Sequence, residues 1–513
     1  MRWAIPMGGM ADYWDLIDRE PRLAGVSIWD WVDQGIAQLT DDGTRWWAYG
    51  GDFGDEPNDR NFNCNGLVDA DRTPHPALAH VAWAYQPVKA TAVNVGNRSV
   101  AVRNRYSFTS LARVTGQWKL IVAGVVVAAG HIDVPDVRPG ESGNGELVGF
   151  GAPAIDSPAS LEVTFASSSG RQLGFTRLPM PIGRPAIVRD EPARSPASYG
   201  ARVEVHADGS AVLTGGTSTL RLDQTGLPCG FGRGDDAITI DWARFGVRRH
   251  PTDNDAATFG DEMLMSRYRR SGLADAEPHA VGPPRSGLSI DGFPYVSYRL
   301  DLTDSVRIIV RWQVADDGDF ALDLRCNLGL DNPPLLRLGL EMQPVLADPL
   351  LRWCGPGPDE SYPDRVGHLP LGQWAEAPGG SFFDYARPQE SGNHTSVEWT
   401  ALVGSAPFGL VAKGDPTLNT QLLRGRADHL ANTRHPHEIE WTGRPVWRLD
   451  VAHAGLGTAS CGPGTTRRFQ LAGPMVRGRL VLRFLDVDHC TPDGIAEHAA
   501  RSSVLAERRR WLH

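Results

Sequence analysis

The stretch "GVSIWDWVDQG" at residues 25–35 places two tryptophans and two aspartates within a few positions of one another. Large flat rings beside carboxylates suit a sugar, because a sugar ring has an apolar face and a polar rim. The four side chains come at the end of a short apolar run, which is typical of a strand that presents its last residues to a site. This pattern predicts one wall of a carbohydrate-binding site.

A second polar stretch, "YGGDFGDEPNDRNFNCNGLVDADRTPHPAL" at 49–78, combines aspartates, asparagines and glycines ahead of a predicted helix. Two interpretations fit this composition about equally. The stretch is either a solvated loop of turn residues or a loop at the carboxyl end of a barrel strand, where such barrels keep their sites. In the second case, asparagine side chains and main-chain carbonyls suit hard cations and sugar hydroxyls.

Residues 1–88 must contain the elements that position these loops, and their sequence pattern is typical of an α/β fold. Apolar residues at helical spacing predict a helix over 10–17, which ends before a proline. The apolar run at 23–31 predicts a buried strand, and 73–86 predicts a second helix with Thr73 as its cap. A helix, a strand and a long polar loop in this order are typical of one unit of a (β/α) barrel.

After residue 88 the pattern changes to short strands separated by glycine, proline, asparagine and serine. Within this region, Ala123-Gly124 predicts a hairpin turn, and the proline-rich stretch 178–196 predicts an extended linker. The predicted fold class is multidomain and mainly β. We divide the chain into an incomplete TIM-barrel end, an immunoglobulin-like β-sandwich, a large β-sandwich and a helical tail, at 1–88, 89–186, 187–488 and 489–513.

The composition of the 513 residues argues against several classes of protein. A net charge of −10 with well-mixed signs argues against a nucleic-acid partner. The longest apolar run, 120–130, is shorter than the ~20 residues of a membrane span, and the first residues lack the regions of a signal peptide. Six cysteines without a CxxC pair indicate neither a disulfide framework nor a zinc site. We therefore expect a cytoplasmic protein with no nucleic-acid and no membrane partner.

Several motifs follow one another in a fixed order: "WDWVDQ", "YGGDFGD", "NGLV", "DRTPHPAL", "DND", "YPDR", "FFDYARPQESGNHT" and "AHAGLGTASCGPGT". Together they resemble the large bacterial β-galactosidases of glycoside hydrolase family two. The resemblance covers roughly residues 8–485. It implies hydrolysis of terminal β-D-galactosides with retention of configuration. It also implies that the large β-sandwich is of the type found in the β-galactosidase small chain.

The resemblance also implies where the catalytic groups lie. In this family one glutamate attacks the anomeric carbon, and a second, about 5–5.5 Å away, serves as acid and then base. Both come before the helix that begins here at "MGG", residues 7–9, whereas the first glutamate of this chain is Glu20. We therefore expect no catalytic residue in this chain, inactivity of the chain alone, and magnesium only in the complete enzyme.

Substrate and cation contacts are implied for residues that are present. Trp29 matches the tryptophan on which galactose packs, whereas Trp31 is expected in the core because neighbouring strand residues face opposite ways. Asn65 matches a residue near the sugar. Its side-chain oxygen and the main-chain carbonyl of Phe62 also match a sodium site, which is expected to be incomplete because its third ligand, an upstream aspartate, is missing.

Two further contacts come from the same resemblance. Asp59 and Arg60 match an acidic–basic pair that braces the sodium site beside the sugar. Cys461 matches a tryptophan that forms a platform for the leaving part of the substrate, but a thiol cannot stack on a sugar as an indole does. A small buried residue is an equal interpretation of Cys461. Residues 252–259 match a mobile loop at the same rim.

Other polar groups invite a chemical role that the resemblance does not give them. We expect Asp30 and Asp33 to form structural hydrogen bonds rather than a catalytic carboxylate pair. The stretch "RHPHE" at 434–438 is expected in a loop between strands, without a metal. The glycines of "GPGPDESYPDR" at 355–365 lack the Lys-Ser/Thr and helix of a phosphate loop, so a structural role is expected.

Three interpretations of the whole chain stay open. The first is a truncated or split β-galactosidase that is inert alone. The second is a true subunit that assembles with a separately made N-terminal half, or with like chains into an oligomer. The third is a non-catalytic carbohydrate-binding or assembly module with Trp29 as a residual sugar-binding surface. Because an unclosed barrel exposes strand edges, we expect the chain to associate, to aggregate or to be cleaved near residue 88.

Overall fold

The structure is a computed structural model that describes residues 7–151, 159–180, 200–256, 263–459, 462–486 and 490–500. Within these residues it is mainly β, and all of the strand pairs in its three sheets are antiparallel. The predicted fold class, multidomain and mainly β with a barrel end, is confirmed. The exact domain boundaries stay a prediction.

The first part of the chain contains two helices and one short hairpin, which are α1 Met10–Arg19, β1 Ile36–Leu39, β2 Arg45–Ala48 and α2 Ala77–Ala84. The helix predicted over 10–17 is confirmed. Both helices pack on a small apolar core because each has an apolar face. The buried members of that core are Met7, Met10, Leu67, Ala77, Val81 and Ala84.

Two details of this region were predicted wrongly. Residues 23–31 form no strand, because the described chain offers this segment no ladder and only one isolated parallel bridge follows, between Val32 and Val68. Thr73 does not cap α2, which begins at Ala77 with Pro76 before it. The Thr73 carbonyl instead accepts the amide of Asp69 at 2.8 Å, so Thr73 belongs to a turn.

The second sheet has seven strands in the order β3-β4-β7-β6-β5-β8-β9. It curls, so that its last strand contacts its first: a Cβ on Gly174 would lie 2.0 Å from the Val88 carbonyl oxygen. The predicted hairpin is confirmed, since Ala123 and Gly124 join two paired strands with φ of 48° and 76°. The strands are β3 Val88–Asn94, β4 Ser99–Asn104, β5 Thr115–Val122, β6 Val125–Asp133, β7 Ser142–Leu147, β8 Ala159–Ala166 and β9 Gln172–Pro179.

The third sheet has seventeen strands and encloses the largest core, in which Trp312, Trp353 and Trp447 are fully buried. Alternating burial along the strands produces this core. The strands are β10 Arg202–Val205, β11 Ala211–Gly215, β12 Ser218–Leu222, β13 Pro228–Arg233, β14 Asp236–Gly246, β15 His279–Ala280, β16 Arg285–Leu288, β17 Pro294–Asp301, β18 Arg307–Val314, β19 Phe320–Asn327, β20 Arg337–Pro344, β21 Leu350–Pro356, β22 Leu371–Glu376, β23 His394–Val403, β24 Gly409–Leu423, β25 Val446–His453 and β26 Met475–Leu485.

Three helices accompany this sheet, α3 Asp253–Ala256, α4 Leu264–Arg270 and α5 Pro492–Ala500. The predicted tail helix begins as α5, which buries Ile495 and Ala499 in a cluster with residues of β23 and β24. The rest of that prediction, at 501–513, and most of the predicted linker, at 181–199, lie outside the described residues.

Direct hydrogen bonds join the first part of the chain to both sheets. The Trp83 indole donates to the Phe175 carbonyl at 2.9 Å, and the Gly8 amide donates to the Gly457 carbonyl at 3.0 Å. These contacts fix the first part of the chain against the second sheet and against a loop of the large sheet. The five cysteines in the described residues are free thiols, and no helix there is long and apolar enough to cross a bilayer.

Candidate functional site

Main-chain hydrogen bonds bring the two predicted polar stretches together. The Asp30 amide donates to the Asn65 carbonyl at 2.9 Å, and the Leu67 amide donates to the Trp31 carbonyl at 3.0 Å. Gly66 allows this approach, because a Cβ at that position would lie 2.3 Å from the Asp33 nitrogen. The structure therefore places Trp29 and Asn65 on adjacent segments, as a common wall requires.

Both tryptophans of the first stretch face outward. Trp29 is 48% exposed, and Trp31 is 58% exposed. The core position predicted for Trp31 is wrong, because residues 23–31 do not form the strand on which that prediction depended. Seven of the exposed large apolar side chains of the described residues lie between 16 and 53: Leu16, Leu23, Trp29, Trp31, Ile36, Leu39 and Phe53.

The two aspartates of this stretch accept hydrogen bonds from main-chain amides and from a side-chain amide. Asp30 accepts the Trp31 amide at 2.6 Å and the Gln34 side-chain amide at 2.7 Å. Asp33 accepts the Gly66 amide at 2.5 Å. Burial raises the pKa of the Asp33 carboxyl to about 8, although the bond from Gly66 opposes that shift. These contacts agree with the structural role expected of both aspartates.

The predicted cation donors are Phe62, in the short helical turn Arg60–Asn63, and Asn65, just after that turn. Asn65 is 3% exposed, and its amide nitrogen donates to the Phe62 carbonyl at 3.0 Å. The Asn65 side-chain oxygen is buried and has no hydrogen-bond partner. A buried amide oxygen without a donor fits a cation ligand, because leaving it unsatisfied costs about 1–3 kcal/mol.

The structure gives less support to the contacts predicted for Asp59, Arg60, Cys461 and the 252–259 loop. Asp59 and Arg60 are exposed and, within the described part of the chain, form no ion pair with each other. Cys461 lies outside the described residues, as do residues 257–259 of the 252–259 loop. The segment that leads to Cys461 is described as far as 459, and Asp364 holds it by accepting the amides of Leu456 at 2.9 Å and Gly457 at 2.8 Å.

A junction that sequence reasoning missed connects this segment to the polar loop. The Asn61 amide donates to the Asp253 carboxylate at 3.1 and 3.2 Å, and Gln389 contacts the same carboxylate at 3.4 Å. The next residue, Asn254, donates to the Leu456 and Gly457 carbonyls at 3.1 and 3.0 Å. The "DND" motif was the available signal, but the separation of 192 positions from Asn61 hid its partner.

A second contact between the polar loop and the large sheet involves the stretch "RHPHE". The Tyr49 hydroxyl donates to the Arg434 carbonyl at 2.6 Å, and the Asp52 carboxylate pairs with the His435 ring at 3.2 Å. The Trp46 ring packs on His435 with centroids 4.3 Å apart. The stretch therefore fixes the polar loop, a role that the sequence did not reveal.

Comparison with known families identifies three regions of the chain. Residues 215–482 match the family described as "Beta galactosidase small chain". Residues 2–90 match "Glycosyl hydrolases family 2, TIM barrel domain", and residues 100–171 match "Beta-galactosidase, domain 4".

Curated relatives agree with these matches. A "Beta-galactosidase" of Aeromonas hydrophila is 31% identical over 88% of this chain and 44% of its own length. Those of Arthrobacter sp. (strain B7) and Klebsiella pneumoniae (strain 342) are 30% and 28% identical, over 93% and 88% of this chain and 48% and 44% of their own lengths. The chain thus spans about half the length of the curated relatives it matches.

Proposed function

This chain belongs to the β-galactosidases of glycosyl hydrolase family 2, and on that premise we propose that it is the carboxyl-terminal part of a retaining β-galactosidase. In this role it forms one wall of the site for a terminal β-D-galactoside. The observation that carries the proposal is the joining of Trp29 and Asn65 by the 2.9 Å bond between the Asp30 amide and the Asn65 carbonyl.

The wall offers the two kinds of contact that a sugar needs. The half-exposed Trp29 ring receives the apolar face of galactose, and the Asn65 side-chain oxygen has two lone pairs for a cation and a hydroxyl. Each such contact contributes about 1 kcal/mol. Asp59 and Cys461 are proposed as further contacts at the rim, where Asp59 is exposed.

Sodium is the cation that we propose for Asn65 and Phe62. The buried Asn65 oxygen without a partner supports this choice, because an amide oxygen and a carbonyl oxygen suit a hard cation. Two ligands are too few, so the site is incomplete within these residues. A bound sodium ion supplies positive charge that orients sugar hydroxyls. Magnesium is proposed only for the complete enzyme.

The reaction needs two carboxyl groups about 5–5.5 Å apart that face the anomeric carbon. Asp30 and Asp33, the carboxylates nearest Trp29 in sequence, already accept hydrogen bonds from their own and the adjacent segment. We therefore infer that the nucleophile and the acid/base come from residues outside this sequence, on the same polypeptide or on another, and that these 513 residues alone are inactive.

Apolar exposure supports a partner at this face. Trp31, Ile36 and Leu39 are each more than half exposed, and all three lie within ten positions of Trp29 in the chain. Exposed apolar residues concentrated in one region are typical of an interface. The remainder of the barrel is the proposed occupant, and a cytoplasmic location stays a prediction.

A second candidate function is a non-catalytic carbohydrate-binding or assembly subunit. The exposure of Trp29 favours it, because a single accessible ring is enough for weak sugar binding. The two candidates differ in what happens when catalytic carboxylates are supplied: only the first gains turnover.

Hydrolysis of a chromogenic β-galactoside, with sodium and magnesium present, separates these functions. The chain is assayed alone and after mixing with a separately made amino-terminal half of a family 2 β-galactosidase. Trp29→Ala tests the wall, and Phe108→Ala is the matched control, because Phe108 is 96% exposed and lies in the second sheet region.

The expected result is no turnover alone, turnover on mixing, and a fall of about 5-fold in kcat/KM for Trp29→Ala, which corresponds to about 1 kcal/mol. The Phe108→Ala mixture should match the unaltered one. Turnover by the chain alone that depends on one of its own carboxylates contradicts the proposal. Galactose binding without turnover on mixing favours the second candidate.

A further inference from the structure

Beneath the sugar wall, three buried side chains of metal-binding type converge. Asp33, Asp69 and His75 are 4%, 8% and 2% exposed, and each offers one ligand atom within 4.8 Å of the other two. The rings of Phe383 and Tyr385 close the His75 side of this cluster, with centroids 5.1 and 5.3 Å away. The cluster therefore lies between the polar loop and the large sheet, away from solvent.

The hydrogen bonds of His75 determine which ring nitrogen has a lone pair. Its Nδ1 lies 3.0 Å from the Gly66 carbonyl oxygen, which is only an acceptor, so Nδ1 carries the proton. In the neutral ring Nε2 is then an acceptor. Nε2 is buried without a hydrogen-bond partner and faces the Asp33 carboxylate at 3.5 Å. Two acceptor atoms thus face each other in a buried space.

A proton or a cation must lie between these atoms, and the distance favours the cation. A hydrogen bond shared by an oxygen and a nitrogen has a length of about 2.7–3.2 Å, which is shorter than the 3.5 Å observed. Ligands of a tetrahedral ion with bonds of about 2.0–2.2 Å lie about 3.3 Å apart. The Asp33–His75 spacing therefore matches two ligands of one ion.

The charges of the cluster agree with this assignment. Asp33 and Asp69 are both buried, and among the described residues neither forms an ion pair with lysine or arginine. Two ionised carboxylates held this close together away from solvent repel each other. A cation bound between them offsets that repulsion directly.

We propose that Asp33, Asp69 and His75 bind one divalent ion of the zinc class, which joins the segment of Trp29 to the polar loop. The imidazole ligand favours zinc over sodium, magnesium or calcium, which prefer oxygen. Gly66 supplies the supporting contacts: its carbonyl orients the His75 ring and its amide holds Asp33. The ion is structural, because its surroundings are buried, and the site is separate from the proposed sodium donors.

The test uses the full chain, purified without a polyhistidine tag and freed of metal by a chelator. Zinc binding is measured by calorimetry, and Co²⁺ serves as a spectroscopic probe, because its visible absorption reports a low-symmetry site with a nitrogen ligand. Asp69→Asn removes one ligand with little change of volume, and His75→Gln removes another. Asp71→Asn is the matched control, because Asp71 lies two positions from Asp69 and pairs with Arg45 near the surface.

The expected result is one equivalent of Zn²⁺ or Co²⁺, with affinity reduced at least 10-fold in Asp69→Asn and His75→Gln and unchanged in Asp71→Asn. The unaltered chain decides the outcome even if a variant fails to fold: no stoichiometric binding by it overturns the proposal. Equal binding by both folded ligand variants and the parent also overturns it. The readout is metal binding and not galactoside turnover, so a failure of the proposed function can be told apart from a failure of this metal site.

Discussion

Asp364→Asn tests how the large sheet holds the segment that leads to Cys461. The Asp364 carboxylate accepts one amide on each oxygen, from Leu456 at 2.9 Å and from Gly457 at 2.8 Å. Asparagine replaces one of these acceptors with an NH₂ group, so one buried amide loses its partner. Leaving a buried donor unsatisfied costs about 1–3 kcal/mol, and we take about 2 kcal/mol as the central value.

Repacking does not easily relieve this cost, because glycines bring the main chain against the carboxylate. A Cβ at Gly8 would lie 1.9 Å from an Asp364 oxygen, and a Cβ at Gly455 would lie 2.6 Å from its Cγ. The side chain therefore has little room to turn. Because 1.4 kcal/mol corresponds to a factor of ten, local opening should become about 30-fold more frequent.

Hydrogen exchange with mass spectrometry of peptides that cover 452–459 measures this opening directly. Asp359→Asn is the matched control, because Asp359 belongs to the same motif but is exposed. We expect faster exchange at 456–457 in Asp364→Asn and parental exchange in Asp359→Asn. Unchanged protection at Leu456 and Gly457 in a folded Asp364→Asn chain would refute the hydrogen-bond argument.

Three further predictions concern the first part of the chain and the large core. Gly66→Ala should lower the thermal midpoint and release the 29–35 segment, because its Cβ would lie 2.3 Å from the Asp33 nitrogen; calorimetry and tryptophan fluorescence measure both effects, and parental values contradict the reasoning. The chain should either be cleaved near residue 88 in limited proteolysis or be found in assemblies by light scattering. A protease-resistant monomer with an intact first part contradicts this prediction. Burial lowers the pKa of His250 to about 3. The unfolded ring is protonated below pH ~6.5, whereas the folded ring stays neutral until the pH approaches 3. The free energy of unfolding should therefore fall by up to about 1.4 kcal/mol per pH unit as the pH drops from ~6.5 to 3. Denaturant titrations at several pH values should show that the free energy of unfolding depends less steeply on pH in His250→Gln than in the parent. A variant of the exposed His206 should keep the parental pH dependence.

Local chemistry made several elements predictable from sequence. The apolar spacing of 10–17 specifies one face of a helix, and α1 forms there. Ala123-Gly124 specifies a tight turn, because glycine adopts positive φ without strain, and both residues have it. The resemblance carried by the ordered motifs identified the family that the comparisons show. Each of these features depends on residues that are close in the chain.

The failures have a common cause. The apolar run at 23–31 has the composition of a strand, but a strand exists only when a neighbour completes its ladder. The described chain provides one bridge, between Val32 and Val68, so the segment stays irregular and Trp31 is exposed. The cap predicted at Thr73 failed for a related reason, since the Asp69 amide engages that residue in a turn.

The sequence by itself determined the family, the mainly β class and the residue types available to a sugar and a cation. Only the tertiary structure decided which of them meet. Asn61 reaches Asp253 across 192 positions, and Asp33 approaches His75 from a separate segment, because Gly66 lets two main chains lie in contact. Such meetings depend on burial and on the closeness of distant segments, which residue type and spacing do not encode locally.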